Sequence, residues 1–163
     1  MHEITTTTRP GIPTAISIDH YGYVVPDLDQ AVAFFTDVLG FELLSLDDPI
    51  EFGDDSLARW YHVHPRASAR FAFLRYGPAI IELTQWHTPD QNMLAPSNSD
   101  LGGRHFAIAV MDVDAAMAYL KAQPGVTVFE RSVWNFVYFT TPWGMTLQIL
   151  QPLGTSDTLA SES

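Results

Sequence analysis

Apolar and polar positions follow the same pattern in two stretches of the chain, which span 18–46 and 105–120. Each stretch opens with an apolar, β-branched run that contains a histidine, passes through an aspartate-containing turn and continues with apolar residues at helical spacing. One register pairs residues of the same kind along both copies: His20 with His105, Val25 with Val110, Asp27 with Asp112, Asp29 with Asp114, Ala31 with Ala116 and Ala33 with Ala118. The pattern therefore predicts one strand–turn–helix unit that occurs twice.

Aspartates mark the start of both predicted helices, Leu28–Leu39 and Val113–Ala122. Asp27 and Asp112 suit the N-cap position, because a carboxylate accepts hydrogen bonds from free backbone N–H groups and lies at the positive end of the helix dipole. Leu57–His64 fits either a short helix or a strand. Short β-prone runs between turn signals predict the strands Ser17–Val25, Phe41–Leu46, Arg70–Arg75, Ala79–Gln85, Arg104–Val110, Val126–Glu130, Asn135–Thr140 and Met145–Leu150.

The repeat extends to the closing strand of each copy. Ile80-Ile81-Glu82-Leu83 matches Thr146-Leu147-Gln148-Ile149, and both runs follow a turn that contains proline and glycine. Glu82 and Gln148 are therefore equivalent positions. The first copy is longer, most simply through an insertion in Asp47–Ala69, and long insertions of this kind often form substrate loops.

Composition and net charge limit the residues that could bind a metal and the partners that the protein could have. The chain has 163 residues, of which 47% are hydrophobic, and no cysteine, so any metal must be held by His, Asp, Glu or neutral oxygens. The net charge of −11 and the scattered basic residues argue against a nucleic-acid partner. The absence of a long apolar run or a signal peptide argues against a membrane protein and predicts a soluble, cytoplasmic one.

One polar side chain lies on the first strand of each unit and one on the last: His20 and Glu82 in the first copy, His105 and Gln148 in the second. Two units packed edge to edge would direct all four side chains at one cleft. A lone histidine on an apolar strand is more often a core residue, but packing alone does not explain a repeated one. Glu82 lies between two apolar residues and would bury its charge at large cost without a cation. The set suits one divalent ion, Zn, Ni, Co, Mn or Fe.

These residues resemble the vicinal oxygen chelate superfamily, which includes glyoxalases, epimerases, extradiol dioxygenases and bleomycin-resistance proteins. The stretches that carry the resemblance are IDHYGYVVPDLDQAVAFFTDVLGFELL, AIIELTQW, GGRHFAIAV with DVDAAMAYL, and YFTTPWGMTLQIL. The resemblance implies an α+β fold in which two βαβββ modules form a cupped mixed sheet around a divalent ion. It also implies that His20, Glu82, His105 and Gln148 occupy the four ligand positions.

The repeat and the composition of the segments around it predict the organisation: an N-terminal arm at 1–15, a first module at 16–88, a linker at 89–103, a second module at 104–152 and a disordered tail at 153–163. Within the superfamily, VHPRASAR, TPDQN, NSDLGG and the TPWGM turn resemble bacterial members that include cyclitol epimerases of the epi-valiolone type. Such relatives usually carry glutamate at the position of Gln148. Dioxygenases and fosfomycin-modifying enzymes take their only carboxylate ligand from that strand, so their pattern is not reproduced here.

The predicted chemistry is proton abstraction next to a carbonyl group. A divalent ion that chelates two neighbouring substrate oxygens stabilises the enediolate, and Glu82 is the carboxylate in the set that can act as the base. His64, Tyr61 or water could act as a second proton carrier. The aromatic and basic side chains expected to contact the substrate are Trp60, Tyr61, Phe73, Arg104, Trp134 and Trp143.

The sequence thus predicts a metal-dependent lyase or isomerase, including an epimerase, that acts on a small hydroxy-carbonyl compound. One alternative is a non-catalytic protein that binds and sequesters an antibiotic, and another is an oxygen-dependent ring-cleaving enzyme. We expect a homodimer, and the sequence leaves open whether each site lies within one chain or is shared by two.

Overall fold

The computed structural model describes residues 11–48 and 56–152. Its first module contains strands β1 to β4 and two helices: β1 (Tyr21–Val24), α1 (Leu28–Ala33) with a π-helical turn (Phe34–Val38), β2 (Glu42–Leu46), α2 (Ser56–Tyr61), β3 (Ser68–Tyr76) and β4 (Ala79–His87). The second module contains β5 (Ala107–Ala109), α3 (Val113–Lys121), β6 (Thr127–Val128), β7 (Phe136–Thr140) and β8 (Thr146–Leu150).

The two modules have the same sheet topology. The strand order is β1-β4-β3-β2 in the first sheet and β5-β8-β7-β6 in the second. In each sheet the first strand pairs in parallel with the last strand, and the remaining pairs are antiparallel. The predicted α+β fold of two βαβββ modules is confirmed, with α2 as an addition from the insertion in the first copy.

Both aspartates predicted as helix N-caps make the expected hydrogen bonds. The backbone N–H of Gln30 donates to Asp27 Oδ1 at 2.9 Å, and the backbone N–H of Ala115 donates to Asp112 Oδ1 at 3.0 Å. These bonds satisfy backbone donors that have no partner inside the helix.

The first helix departs from the prediction in its second half, where the predicted α-helix gives way to the π-helical turn. Leu39 N–H donates to the carbonyl of Phe34, five residues back, at 3.2 Å. At the transition, the Thr36 hydroxyl donates to the carbonyl of Ala33 at 3.2 Å. A hydroxyl that bonds a backbone carbonyl in this way competes with the regular helical pattern.

Several strands are shorter than predicted. β1 and β5 lie at the edges of their sheets and pair on one side only, so each ends where its ladder with β4 or β8 ends. The ambiguous segment Leu57–His64 is helical up to Tyr61 and leaves the helix at His62, whose φ is 55°.

One apolar core joins the modules. Its fully buried side chains come from both modules and include Leu28, Phe35, Leu83, Phe139 and Leu147. Two aromatic side chains of the second module reach into the first. Phe106 lies 6.2 Å from Phe35 and 6.1 Å from Phe41, and Trp143 lies 5.5 Å from Phe34, all measured between ring centroids.

Parts of the predicted arm and acidic loop and the whole predicted tail, at 1–10, 49–55 and 153–163, lie outside the described residues. Within 11–48 and 56–152, no helix has both the length and the apolar character needed to cross a bilayer.

Candidate active site

His20 and Glu82 lie side by side on one face of the first sheet. His20 directly precedes β1, and Glu82 is in the middle of β4, opposite Gly22 in the parallel ladder. A Cβ atom at Gly22 would lie 3.4 Å from Glu82 Oε2, so the glycine leaves the carboxylate uncovered on this side. His20 Nε2 and Glu82 Oε2 are 3.7 Å apart.

Asp19 fixes the orientation of the His20 ring. The Asp19 carboxylate lies 2.8 Å from His20 Nδ1, and because an ionised carboxylate only accepts hydrogen bonds, Nδ1 must carry the proton. The imidazole also packs against the ring of Phe73, with the ring centroids 5.4 Å apart and the ring planes at 89°. We call Asp19, His20, Phe73 and Glu82 the first half-site.

The second module repeats this arrangement. Tyr138 and Ala107 both pair with Gln148, as Phe73 and Gly22 both pair with Glu82. The ring centroids of His105 and Tyr138 are 4.9 Å apart and the ring planes are at 89°. The Tyr138 hydroxyl lies 3.2 Å from His105 Nε2. Gln148 is buried, with 8% of its surface exposed. We call His105, Tyr138 and Gln148 the second half-site.

The structure thus brings His20 and Glu82 together, and it places His105 against Tyr138, the cross-strand partner of Gln148. Within residues 11–48 and 56–152, no three side chains of His, Asp or Glu lie close enough together to hold an ion. The predicted set of His20, Glu82, His105 and Gln148 is therefore not assembled as one ion-binding cluster in the described part of a single chain, and metal binding stays a prediction.

The first half-site nevertheless suits a divalent cation. With the proton on Nδ1, the lone pair of His20 Nε2 faces the Glu82 carboxylate, an arrangement that is favourable only when a proton or a cation lies between them. Bonds of about 2.0–2.2 Å from one ion would place two ligand atoms about 3 to 3.6 Å apart. The observed 3.7 Å needs only a slight closure.

The insertion supplies three of the predicted site residues, Trp60, Tyr61 and His64. His64 Nδ1 accepts a hydrogen bond from Arg66 N at 3.0 Å, and among the described residues His64 contacts neither half-site. Trp60 lies on α2 with 63% of its surface exposed. The proton-carrier role of His64 stays a prediction.

Tyr61 covers part of the sheet face that carries Glu82. Its ring lies 5.8 Å from Phe71 and 5.4 Å from Trp86. Phe71 is two residues from Phe73 on β3 and therefore lies on the same face of the sheet. Helix α2 thus borders the first half-site.

Arg104 and Trp143 line a different cavity, of about 210 Å³, together with residues 91–96. The Arg104 guanidinium lies 5.3 Å above the centre of the Tyr23 ring. Burial raises the pKa of the Tyr23 hydroxyl, and the positive charge of Arg104 opposes this effect. Trp143 also packs against the core.

Trp134 extends from the second half-site. Trp134 is 78% exposed, and its ring stacks on the Phe136 ring with a centroid distance of 6.2 Å. The centroids of Phe136 and Tyr138 are 5.5 Å apart. The row of rings ends at His105. Of the predicted substrate contacts, Phe73 lies within a half-site, and Tyr61 and Trp134 lie beside one.

Sequence reasoning assigned no role to Asp19 and treated Tyr138 only as aromatic surface. Asp19 directly precedes the repeated histidine, and Tyr138 is the equivalent of Phe73 in the second copy. An alignment of β3 with β7 is the signal that could have identified Tyr138.

Three known proteins show what the chain is similar to. A 2-epi-5-epi-valiolone epimerase from an Actinomyces species is 46% identical over 153 residues, which cover 88% of this chain and 83% of that protein. A probable chloroplastic lactoylglutathione lyase from Arabidopsis thaliana is 30% identical over 73% of this chain and 31% of its own length. The crystal structure of a glyoxalase family protein from Bacillus cereus superposes with a TM-score of 0.72 at 19% identity, over 90% of this chain and 100% of that one.

The two enzymes confirm the prediction of an enzyme in the isomerase or lyase class, and the first supports an epimerase. The model of the Glyoxalase/Bleomycin resistance protein/Dioxygenase superfamily matches residues 17–149. This match confirms the predicted family resemblance. The chain belongs to the Glyoxalase/Bleomycin resistance protein/Dioxygenase superfamily.

Proposed function

We propose that the protein epimerises a small cyclic polyhydroxy ketone, 2-epi-5-epi-valiolone or a close analogue, by removing and returning a proton on the carbon next to the carbonyl group. The observation that carries the proposal is the His20–Glu82 pair, in which a carboxylate and an oriented imidazole share one open sheet face. The similarity to a 2-epi-5-epi-valiolone epimerase supports the substrate class.

Glu82 Oε2 accepts the proton in this proposal. The Glu82 side chain is 19% exposed, so it is partly shielded from water and still accessible to a ligand. Its equivalent in the second half-site, Gln148, is an amide and cannot take up a proton at neutral pH. The base therefore acts from one side of the site only.

His20, Glu82, His105 and Gln148 would hold a divalent ion, Zn, Ni, Co, Mn or Fe. When bound, such an ion withdraws charge from the substrate carbonyl and makes the neighbouring proton more acidic. Asp19 supports this assignment, because a carboxylate on the far nitrogen of a histidine orients the ring and raises its basicity as a ligand.

We also propose that the protein is a homodimer. Two copies would supply both kinds of half-site to a shared cleft, since one chain carries them on two separate sheets. The small-molecule substrate would then bind between sheets. A cytoplasmic location remains part of the proposal.

The test follows the substrate by proton NMR in deuterium oxide, after purified protein has been supplied with each candidate ion. We expect the signal of the proton next to the carbonyl to disappear and the epimer to form. Because general base catalysis contributes about 10²- to 10⁴-fold to rates, Glu82→Gln should lower the rate at least about 100-fold.

Glu130→Gln is the matched control, since Glu130 is exposed and has no hydrogen-bond or ion-pair partner among the described residues. It should keep the wild-type rate. Absence of exchange with every ion would overturn the proposed reaction. An active Glu82→Gln variant would remove Glu82 as the base.

A further inference from the structure

The two half-sites have the same strand register and similar ring contacts but opposite chemical character. Three equivalent positions differ: Asp19 against Arg104, Phe73 against Tyr138, and Glu82 against Gln148. The first half-site therefore carries two carboxylates. The second carries none and offers a hydroxyl and an amide, and the Arg104 guanidinium lies above the Tyr23 ring. Packing alone gives no reason for this difference, because the ring geometry is the same in both.

The Tyr138 hydroxyl is the group that the second half-site adds. It lies 3.2 Å from His105 Nε2, whereas Phe73 has no hydroxyl to offer His20. The Tyr138 ring packs against the rings of His105 and Phe136. A rigid ring with few rotamers fixes the position of its hydroxyl at low entropic cost.

The difference in charge between the half-sites determines which group of a ketone substrate each half-site can stabilise. When the proton leaves for Glu82, the C–H electron pair forms a C=C bond, and the π pair of the carbonyl moves to its oxygen. Negative charge then grows on that oxygen, and a fixed hydrogen-bond donor stabilises it. The carboxylates of the first half-site would repel this charge. A water molecule on the opposite face of the carbon then donates a proton, the C=C electron pair forms the new C–H bond, and the oxygen pair re-forms the carbonyl. The hydroxide that remains takes up the proton from Glu82.

We propose that Tyr138 donates a hydrogen bond to the substrate carbonyl oxygen and is a catalytic residue of the second half-site. The assignment rests on the proposed epimerisation. It places the carbonyl oxygen towards His105 and Gln148 and the departing proton towards Glu82. The hydroxyl exchanges its contact with His105 for the substrate oxygen.

Tyr138→Phe removes this hydroxyl and keeps the ring. Loss of one donor to a developing oxyanion typically costs about 100-fold in turnover, and we expect a loss of this size in both α-proton exchange and epimer formation. Ground-state binding should change little, because the charge develops only as the reaction proceeds. Calorimetric titration of the ketone into Glu82→Gln and into Glu82→Gln/Tyr138→Phe should therefore give dissociation constants within about twofold.

Tyr76→Phe is the matched control: Tyr76 lies at the end of β3, is 43% exposed, and its hydroxyl has no hydrogen bond within the described residues. It should keep the wild-type rate. Tyr138→Phe and Tyr76→Phe should also keep the wild-type melting temperature and bound metal per chain.

Each other result overturns a distinct statement. Wild-type protein that does not exchange the proton overturns the proposed function. Active wild type with an equally active Tyr138→Phe overturns the role of Tyr138 and leaves the epimerase proposal standing. If Tyr138→Phe weakens ground-state binding, the hydroxyl contributes to binding; if the variant does not fold, the hydroxyl is structural. Either result also overturns the inference.

Discussion

Two carboxylates flank the imidazole of His20, one at each ring nitrogen. Asp19 lies 2.8 Å from Nδ1 and Glu82 lies 3.7 Å from Nε2. The shorter contact fixes the proton on Nδ1, and the longer one leaves room for a positive charge between nitrogen and oxygen. Asp19 is thus a positioning residue, which acts through the ring that it orients.

Asp19→Asn tests this role. The amide can still accept a hydrogen bond from Nδ1, but it lacks the negative charge that raises the basicity of the ring. Because partners of metal-bound histidines typically contribute about 10- to 100-fold to metal affinity, we expect the dissociation constant for Zn²⁺ to rise by about tenfold. Competition with a chromophoric chelator measures this change.

Asp47→Asn is the appropriate control for net charge, because Asp47 is exposed and its side chain has no hydrogen-bond partner among the described residues. Its zinc affinity should match that of the wild type. Equal affinities in both variants would show that Asp19 does not orient a ligand.

The four repeated polar positions, His20, Glu82, His105 and Gln148, were predictable from the sequence, because an internal repeat aligns them without any structural knowledge. The role of Tyr138 was not. Its contact with His105 depends on cross-strand register between β7 and β8 and on the rotamers of two rings. Likewise, Asp19 was not predictable as a partner of His20, since neighbouring residues in a strand usually point to opposite faces.

Local sequence also accounts for the helix starts but not for the course of the first helix. An N-cap is a contact over three residues, so Asp27 and Asp112 were identifiable from position and residue type. The π-helical turn at Phe34–Val38 lies where Phe34 and Phe35 pack against Trp143 of the second module. Such a contact between distant segments leaves no local signal.

Asp112→Ala should destabilise the second module through loss of its helix cap. Removing an N-cap side chain typically costs about 0.5–2 kcal/mol, and we expect about 1 kcal/mol in the free energy of unfolding, measured by urea titration. Asp112→Asn should lose little, because asparagine caps helices as well as aspartate does. A loss that is as large with asparagine would point to the charge rather than to the capping hydrogen bond.

The relation between the modules is a property of the whole molecule. The repeat predicted two modules of the same topology, and the structure confirms them, each with its own four-stranded sheet. The contact between them depends on Phe106 and Trp143, which fill space beside Phe34, Phe35 and Phe41. Apolar periodicity places these side chains in a core but does not say against which module, so the arrangement of the half-sites could not be derived from the sequence.

Complementation between inactive variants decides whether half-sites from two chains form one site. In a symmetric dimer with shared sites, a His20→Ala chain paired with a His105→Ala chain has one site with both substitutions and one intact site. Random pairing makes half of the dimers mixed, so co-refolded variants should recover about a quarter of wild-type epimerase activity. Each variant refolded alone should stay inactive, as should His20→Ala mixed with His20→Ala/His105→Ala, which can form no intact site. If light scattering shows dimers but the mixture recovers no activity, the complete site lies within one chain. If light scattering shows a monomer, the proposed assembly is refuted.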